Sequence, residues 1–132
     1  MTRTYRLFYF LSLTWLLAIG AELRAADAPD YGTAAGSIVV PAGITAKDVE
    51  KCILEAAIGR GWTIQTHETG KVVIALDQDK WSSRLTLLYT TTDVNIFSKS
   101  TRSGKPRLPE TWINFLKRDI TAKLATLSLL RS

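Results

Sequence analysis

Two successive β-hairpins are the feature that most constrains the fold of this chain. Residues 62–67 alternate apolar and polar side chains, and after a Thr-Gly turn residues 71–76 return as a Val/Ile-rich strand. Residues 84–90 and 94–98 repeat the arrangement. Because strands joined by short turns pair in antiparallel fashion, the sequence predicts an antiparallel sheet.

A helix is predicted on either side of the hairpins. Thr45 and Asp48 have the spacing of a capping box, and Gly61 follows as a left-handed stop. The first helix places Val49, Cys52, Ile53, Ala56 and Ala57 on one apolar face. Pro109 opens the second helix, predicted over residues 109–127, whose apolar positions are Trp112, Ile113, Leu116, Ile120, Leu124 and Leu127.

A further short strand, residues 37–40, precedes the first helix and is stopped by Pro41. The element order is therefore β-α-β-β-β-β-α. Two amphipathic helices need one apolar surface to cover, so the expected fold is α+β: a two-layer sandwich with an antiparallel sheet of four to five strands and both helices on one face. The other face is expected to be open to water, with polar positions at Thr63, Gln65, His67, Arg84, Thr86 and Thr90.

The N-terminus has the layout of a secretory signal peptide. Arg3 and Arg6 precede an uncharged run over residues 7–21, and small residues follow at Ala25 and Ala26. The run is shorter than the roughly 20 residues that cross a bilayer, which favours cleavage after Ala25. The alternative is an inner-membrane anchor formed by uncleaved residues 7–21.

Three regions follow from this pattern. Residues 1–25 are predicted to be the signal peptide, and residues 26–36, small and polar with Pro and Gly, are predicted to be a flexible spacer. Residues 37–132 form a single domain. The predicted location is the periplasm or the medium.

Charge and cysteine content narrow the classes of function. The formal net charge of +5 falls to +3 without residues 1–25, and no dense basic stripe marks a nucleic-acid binder, so no nucleic-acid partner is expected. Cys52 is the only cysteine, which excludes an intrachain disulfide and a multi-cysteine metal site. Its place on the apolar face of the first helix predicts a small buried hydrophobe.

No arrangement of residues predicts catalysis, a metal site or a cofactor. His67 is the only histidine, and Glu68 beside it would point to the opposite face of the strand. Asp77 and Asp79 lack the rest of an EF-hand loop, which leaves a solvated turn. The hydroxyl groups of Ser82, Ser83, Ser98 and Ser100 lack a base placed by the sequence.

Four segments carry a resemblance to a known group of proteins. They are RGW at 60–62, KVVIAL at 71–76, IFSKS at 96–100 and WINFLKRDI at 112–120. Together they resemble a family of small, uncharacterised bacterial exported or envelope proteins, many of them lipoproteins. The resemblance implies an α+β layer fold and an envelope location, and it implies no catalytic residue. This chain lacks the lipobox cysteine that many of those relatives have.

One charge cluster is unbalanced: Lys99, Arg102, Lys105 and Arg107, with no acidic residue between Asp93 and Glu110. The sequence predicts a polar loop over residues 100–108, and a mobile, solubilising connection is its simpler interpretation. The other interpretation is a surface for an anionic partner.

The function that these observations favour is a non-enzymatic binding or envelope-assembly module. Its partner would be an envelope protein or an anionic envelope component, bound through the open sheet face or the basic loop. Two alternatives stay open: a small periplasmic hydrolase or ligand-processing enzyme, and a protein that binds polyanions or anionic lipids through residues 99–107.

Overall fold

One antiparallel sheet and two helices make up the part of the chain that the computed structural model describes, residues 29–132. The strands are β1 (Thr33–Val39), β2 (Thr63–Glu68), β3 (Lys71–Gln78), β4 (Trp81–Tyr89), β5 (Asp93–Arg102) and β6 (Lys105–Pro106), and the helices are α1 (Ala46–Gly59) and α2 (Glu110–Arg131). The strand order is β1-β5-β4-β3-β2, with β6 beside β5. The predicted α+β sandwich is confirmed, with six strands in the sheet.

The predicted signal peptide over residues 1–25 and the alternative anchor over 7–21 lie outside the described residues. The compact unit is Tyr31–Ser132. Within residues 29–132, neither helix combines the length and the hydropathy that crossing a bilayer requires.

Helix α1 begins and ends as its sequence predicts. The Thr45 hydroxyl accepts the Asp48 N–H at 3.2 Å, and the Asp48 carboxylate accepts the Thr45 N–H at 3.2 Å, which completes the capping box. Gly61 follows the helix with φ +84°. The five predicted face residues, including Cys52, are all buried against the sheet side of the molecule.

The first strand starts earlier than predicted. Residues 33–36, assigned to the spacer from their small side chains, pair with β5 through a register that shifts between Ala34 and Gly36. Backbone hydrogen bonds hold this stretch in the sheet. Because such bonds do not require apolar side chains, the sequence shows no apolar pattern there. Gly32 precedes it with φ +96°, and a Cβ there would collide with the Ser98 carbonyl oxygen.

The predicted basic loop is a β-hairpin. Strand β5 continues to Arg102, and β6 returns beside it with Arg102 paired to Lys105. The turn residues Ser103 and Gly104 both have positive φ, +52° and +79°, as a two-residue hairpin turn requires. The prediction of a loop over residues 100–108 is therefore wrong for residues 100–106, whereas residues 107 and 108 lie outside the strands.

A bulge in β2 changes which residues face the helices. The register with β3 shifts between Ile64 and Thr66, so His67 pairs with the buried Val72. Because one extra residue moves every following side chain to the other face, His67 lies on the helix side and Thr66 takes its place on the open face. The placement of His67 on the open face is therefore wrong.

The open face is partly covered near β5. Its Phe97 packs against Tyr31, with ring centroids 5.8 Å apart, and Phe97 pairs with Thr86, which is only 7% exposed. Arg84 lies on the same face and is exposed, as predicted.

Ion pairs join the two helices along their length. Arg60 donates from Nε to Asp119 Oδ2 at 2.6 Å and from a terminal nitrogen to Oδ1 at 3.2 Å. Lys123 lies 3.5 Å from Glu55, and Arg131 is bonded to both carboxylate oxygens of Asp48. These contacts place the C-terminal end of α2 beside the N-terminal end of α1.

Replacing Ile120 by alanine tests the assignment of α2 to the core. Ile120 is fully buried, so Ile120→Ala is expected to lower the free energy of unfolding by about 2–5 kcal/mol, since it removes apolar contacts and leaves a cavity. Urea unfolding measures this. The matched control is Thr121→Ala, whose exposed side chain predicts a change within about 0.5 kcal/mol. Equal, small effects of the two substitutions would contradict the assignment.

The helix-joining ion pairs predict acid sensitivity. Bonding to Arg131 lowers the pKa of Asp48, and bonding to Arg60 lowers the pKa of Asp119, from an ordinary value of 3.8. Both groups stabilise the fold fully above that value, and the stabilisation is lost as the pH falls through their lower, folded-state pKa values.

Urea unfolding at about pH 7 and about pH 3 should therefore show a lower free energy of unfolding at the acidic pH. Asp119→Asn should be less stable than the wild type near neutral pH and should lose less stability on acidification. Asp77→Asn, in an exposed position of β3, serves as the control and should keep the wild-type pH profile. A pH response in Asp119→Asn as large as in the wild type would contradict the role of the pair.

Candidate functional site

The four predicted basic residues are divided between the two faces of the sheet. Arg102 pairs with Trp81 across β4 and β5, on the helix side. Lys99 precedes it by three positions and therefore points to the opposite face, where its cross-strand neighbour is Arg84. The structure thus separates Lys99 from the other three, because β5 extends through residues predicted as loop.

Trp81 is the point at which two of the predicted cations meet. The guanidinium carbon of Arg102 lies 5.8 Å from the centroid of the Trp81 ring, and that of Arg107 lies 5.9 Å from the same ring. Both separations are within the range of cation–π attraction. The side chains are thereby held in place while their charges stay at the surface, since both arginines are exposed.

Backbone hydrogen bonds fix the hairpin that carries these arginines. The Arg107 N–H donates to the Ser100 carbonyl oxygen at 3.0 Å, and the Ser103 N–H donates to the Lys80 carbonyl oxygen at 2.8 Å. The second bond ties the β5–β6 turn to the β3–β4 turn. The two arginines are therefore presented by an ordered support, which lowers the entropy lost when they bind a ligand.

A groove of about 580 Å³ opens beside Trp81 and is bordered by the start of β4, the segment between β6 and α2, and the first turn of α2. The rings of Trp81 and Trp112 both line it, with centroids 5.7 Å apart and planes inclined by 50°. We call it the Trp81 groove; its other lining residues are Arg107, Leu108, Pro109, Glu110 and Thr111. It therefore combines aromatic surface, a cation, a carboxylate and a hydroxyl group.

Trp112 also lines a second, smaller cavity, of about 230 Å³. It meets Trp62 edge to face, with ring centroids 6.0 Å apart. Beyond it, the Arg60 guanidinium lies over the Phe115 ring at 4.6 Å and that of Arg118 at 5.5 Å. One end of the sheet therefore carries three tryptophans and Phe115, and arginines lie over the rings of Trp81 and Phe115.

Sequence reasoning identified only part of this site. It placed Trp112 on the apolar face of the second helix and did not single out Trp81, because it placed the start of β4 at residue 84. The register that aligns Trp81 with Arg102 depends on the three extra residues at the start of the strand. A tryptophan directly after the Asp-Lys turn was the one local signal that could have revealed it.

His67 has a carboxylate neighbour that the sequence did not predict. Its Nδ1 lies 3.2 Å from Glu50 Oε1, and the Tyr89 hydroxyl donates to Glu50 Oε2 at 2.7 Å. Burial, followed by the Glu50 hydrogen bond, raises the pKa of Tyr89. The three groups fasten α1 to β2 and β4, and the His67 side chain itself is 59% exposed.

The candidate serines are remote from His67. His67 pairs through Val72 with Leu87, and Ser83 lies four residues from Leu87, or about 13 Å along β4. Ser98 and Ser100 lie on β5, three strand spacings of about 4.8 Å from β2. Ser82 points to the opposite face.

Three of these serines form a buried polar row under the helices. The Ser98 and Ser100 hydroxyl oxygens are 2.7 Å apart, whereas Ser83 Oγ has no hydrogen-bond partner among the described residues. Ser83 is 2% exposed. Cys52, at 3% exposure, behaves as the buried hydrophobe that was predicted, and burial raises the pKa of its thiol.

The geometry also links two segments of the sequence resemblance. Arg60 and Trp62 of the RGW segment contact Asp119 and Trp112 of the final helix. No known protein family, curated protein or solved structure matches this chain. The resemblance to small envelope proteins therefore stays a prediction.

The buried serine row makes a prediction about stability. Ser83→Ala should change the free energy of unfolding by less than about 0.5 kcal/mol or increase it, because it removes a hydroxyl group that has no partner. Ser98→Ala should lower it by about 1 kcal/mol, because it leaves Ser100 without its bond. Thermal or urea unfolding compares the two, and a larger loss for Ser83→Ala would show that its hydroxyl is bonded in solution.

Proposed function

We propose that this protein is a non-enzymatic binding module of the bacterial envelope and that it binds an anionic partner at the Trp81 groove. The observation that carries the proposal is the convergence of Arg102 and Arg107 on Trp81 at one side of a groove that Trp112 also lines. The partner is an envelope protein or another anionic envelope component.

The residue types at the groove favour binding. Tryptophan and arginine are the residues that most often dominate binding energy at interfaces, because they bury a large area or make several hydrogen bonds with few flexible torsions. The guanidinium group is permanently charged and its planar fork fits carboxylate and phosphate oxygens. Two such groups on one ring select an anionic ligand.

The envelope location rests on the N-terminal segment. Arg3 and Arg6 followed by the uncharged run over residues 7–21 predict export, and the envelope resemblance agrees with that prediction. Exported proteins meet phosphate-bearing lipids and glycans as well as acidic proteins. The two arginines on Trp81 suit any of these by charge.

One contact of His67 supports the hydrolase alternative. None of the candidate serines, however, lies beside that histidine as a nucleophile would. His67 and Glu50 lie within hydrogen-bond distance, as a general base and its orienting carboxylate would. The four candidate serines, however, are separated from His67 by strand spacings or by the sheet itself. The contacts of Glu50 with His67 and Tyr89 account for the arrangement as a structural clasp.

Substituting the two stacked arginines tests the proposal. The full chain, expressed with its own N-terminal segment, is immobilised and exposed to a detergent-solubilised envelope fraction, and the bound material is analysed. The wild type should retain specific material that Arg102→Gln/Arg107→Gln loses, with retention falling between about 50 mM and about 500 mM salt as charges are screened.

The control removes the same charge elsewhere. Lys47→Gln/Arg84→Gln neutralises two exposed cations, one on α1 and one on the open sheet face, and should retain what the wild type retains. Equal losses in both double variants would indicate a general charge effect. Full retention by the Arg102/Arg107 variant would exclude the groove as the binding site.

A further inference from the structure

We infer that the ligand of the Trp81 groove is a phosphorylated saccharide. This rests on the proposed function, because it takes the anionic partner as given and names its chemical class. The groove lining contains more than positive charge.

The phosphate would be held by Arg107. Its guanidinium lines the groove and is stacked on Trp81, so its in-plane N–H donors stay available for oxygen atoms. Arg102 lies on the same ring at a similar distance and adds a second positive charge. Lys105 is the cross-strand neighbour of Arg102 and makes the local electrostatic potential more positive.

The saccharide would lie on the aromatic walls. The rings of Trp81 and Trp112 border the same groove. Because Arg102 and Arg107 lie over the Trp81 ring, the Trp112 ring is the main apolar surface for the C–H groups of a sugar ring. A volume of about 580 Å³ falls within the range of sites for small ligands. A bare phosphate or an extended polyanion would leave these surfaces unused.

Glu110 is the residue that separates a sugar phosphate from a plain polyanion. Glu110 lines the groove beside Thr111, and its negative charge would repel a uniformly negative ligand. A carboxylate accepts hydrogen bonds from hydroxyl groups, which a sugar supplies, and the Thr111 hydroxyl can donate or accept. A cation, a carboxylate and two indole rings in one groove thus match the parts of a phosphorylated sugar.

Three soluble probes test this inference: glucose 1-phosphate, glucose and inorganic phosphate. Binding to the full chain is measured by calorimetry and by the fluorescence of the tryptophans at the groove. Glucose 1-phosphate is expected to bind at least about tenfold more tightly than either of the other probes, because it engages both the guanidinium and the aromatic surfaces. Equal affinities for glucose 1-phosphate and inorganic phosphate would overturn the inference.

Substitutions assign each part of the ligand. Arg107→Gln should weaken glucose 1-phosphate and inorganic phosphate by about tenfold or more, which is the loss expected for a charge-assisted hydrogen bond. Glu110→Gln should weaken glucose 1-phosphate without weakening inorganic phosphate. Arg118→Gln, whose guanidinium packs on Phe115 away from the Trp81 groove, is the matched control and should leave both affinities unchanged. All three positions are exposed, and the unfolding midpoint of each variant verifies the fold.

Vesicles distinguish the source of the sugar phosphate and separate this inference from the proposed function. Vesicles that display a phosphorylated disaccharide lipid should bind if the ligand is a headgroup, and the soluble probe alone should bind if it is free. Either result supports the inference. If the envelope fraction is retained in an Arg102- and Arg107-dependent manner while no sugar phosphate binds, the inference is wrong and the proposed function stands. If neither the envelope fraction nor a sugar phosphate binds, the inference and the proposed function are both wrong.

Discussion

Helix α2 covers the sheet through four side chains, Ile113, Leu116, Ile120 and Leu124, that are at most 3% exposed. Burial of this stripe provides the driving force that holds the long helix across the strands, since each such side chain contributes about 1.5–3 kcal/mol relative to exposure. The neighbouring face of α1 is buried against the same core. The ion pairs between the helices fix which end of α2 lies beside which end of α1.

The candidate site is a consequence of that placement. Once α2 lies across the sheet, its first turns bring Trp112 against Trp81 and Trp62, and its middle brings Asp119 to Arg60. The Trp81 groove therefore joins two parts of the chain that are remote in sequence, Trp81 and residues 107–112. Its polar groups are carried by ordered elements, which is the arrangement expected of a surface that binds without large rearrangement.

Both outer strands of the sheet carry a bulge, which affects whether a strand of another protein can pair with them. The outer strands β1 and β2 shift register between Ala34 and Gly36 and between Ile64 and Thr66. A bulge interrupts the regular row of hydrogen-bonding groups that an added strand would need. Within the described residues, neither outer strand therefore offers a regular edge for the addition of another strand.

Much of the fold was predictable because its signals are local. The capping box of Thr45 and Asp48, the apolar faces of both helices and the burial of Cys52 depend on residues within one or two helical turns, and all are as predicted. The errors have a different origin. Residues 33–36 join the sheet mainly through backbone pairing with β5, and His67 is turned to the helix side by a single bulged residue, which periodicity does not reveal.

The sequence by itself determined both helices and five of the six strands, the stripes that form the core and the presence of surplus positive charge before Pro109. Only the tertiary structure decided that Arg102 and Arg107 share Trp81 while Lys99 faces the other way. The physical reason is that helix periodicity is visible within a short stretch of sequence, whereas strand register depends on the pairing of segments that are far apart in the sequence. In a strand, a shift of one position moves every side chain to the opposite face.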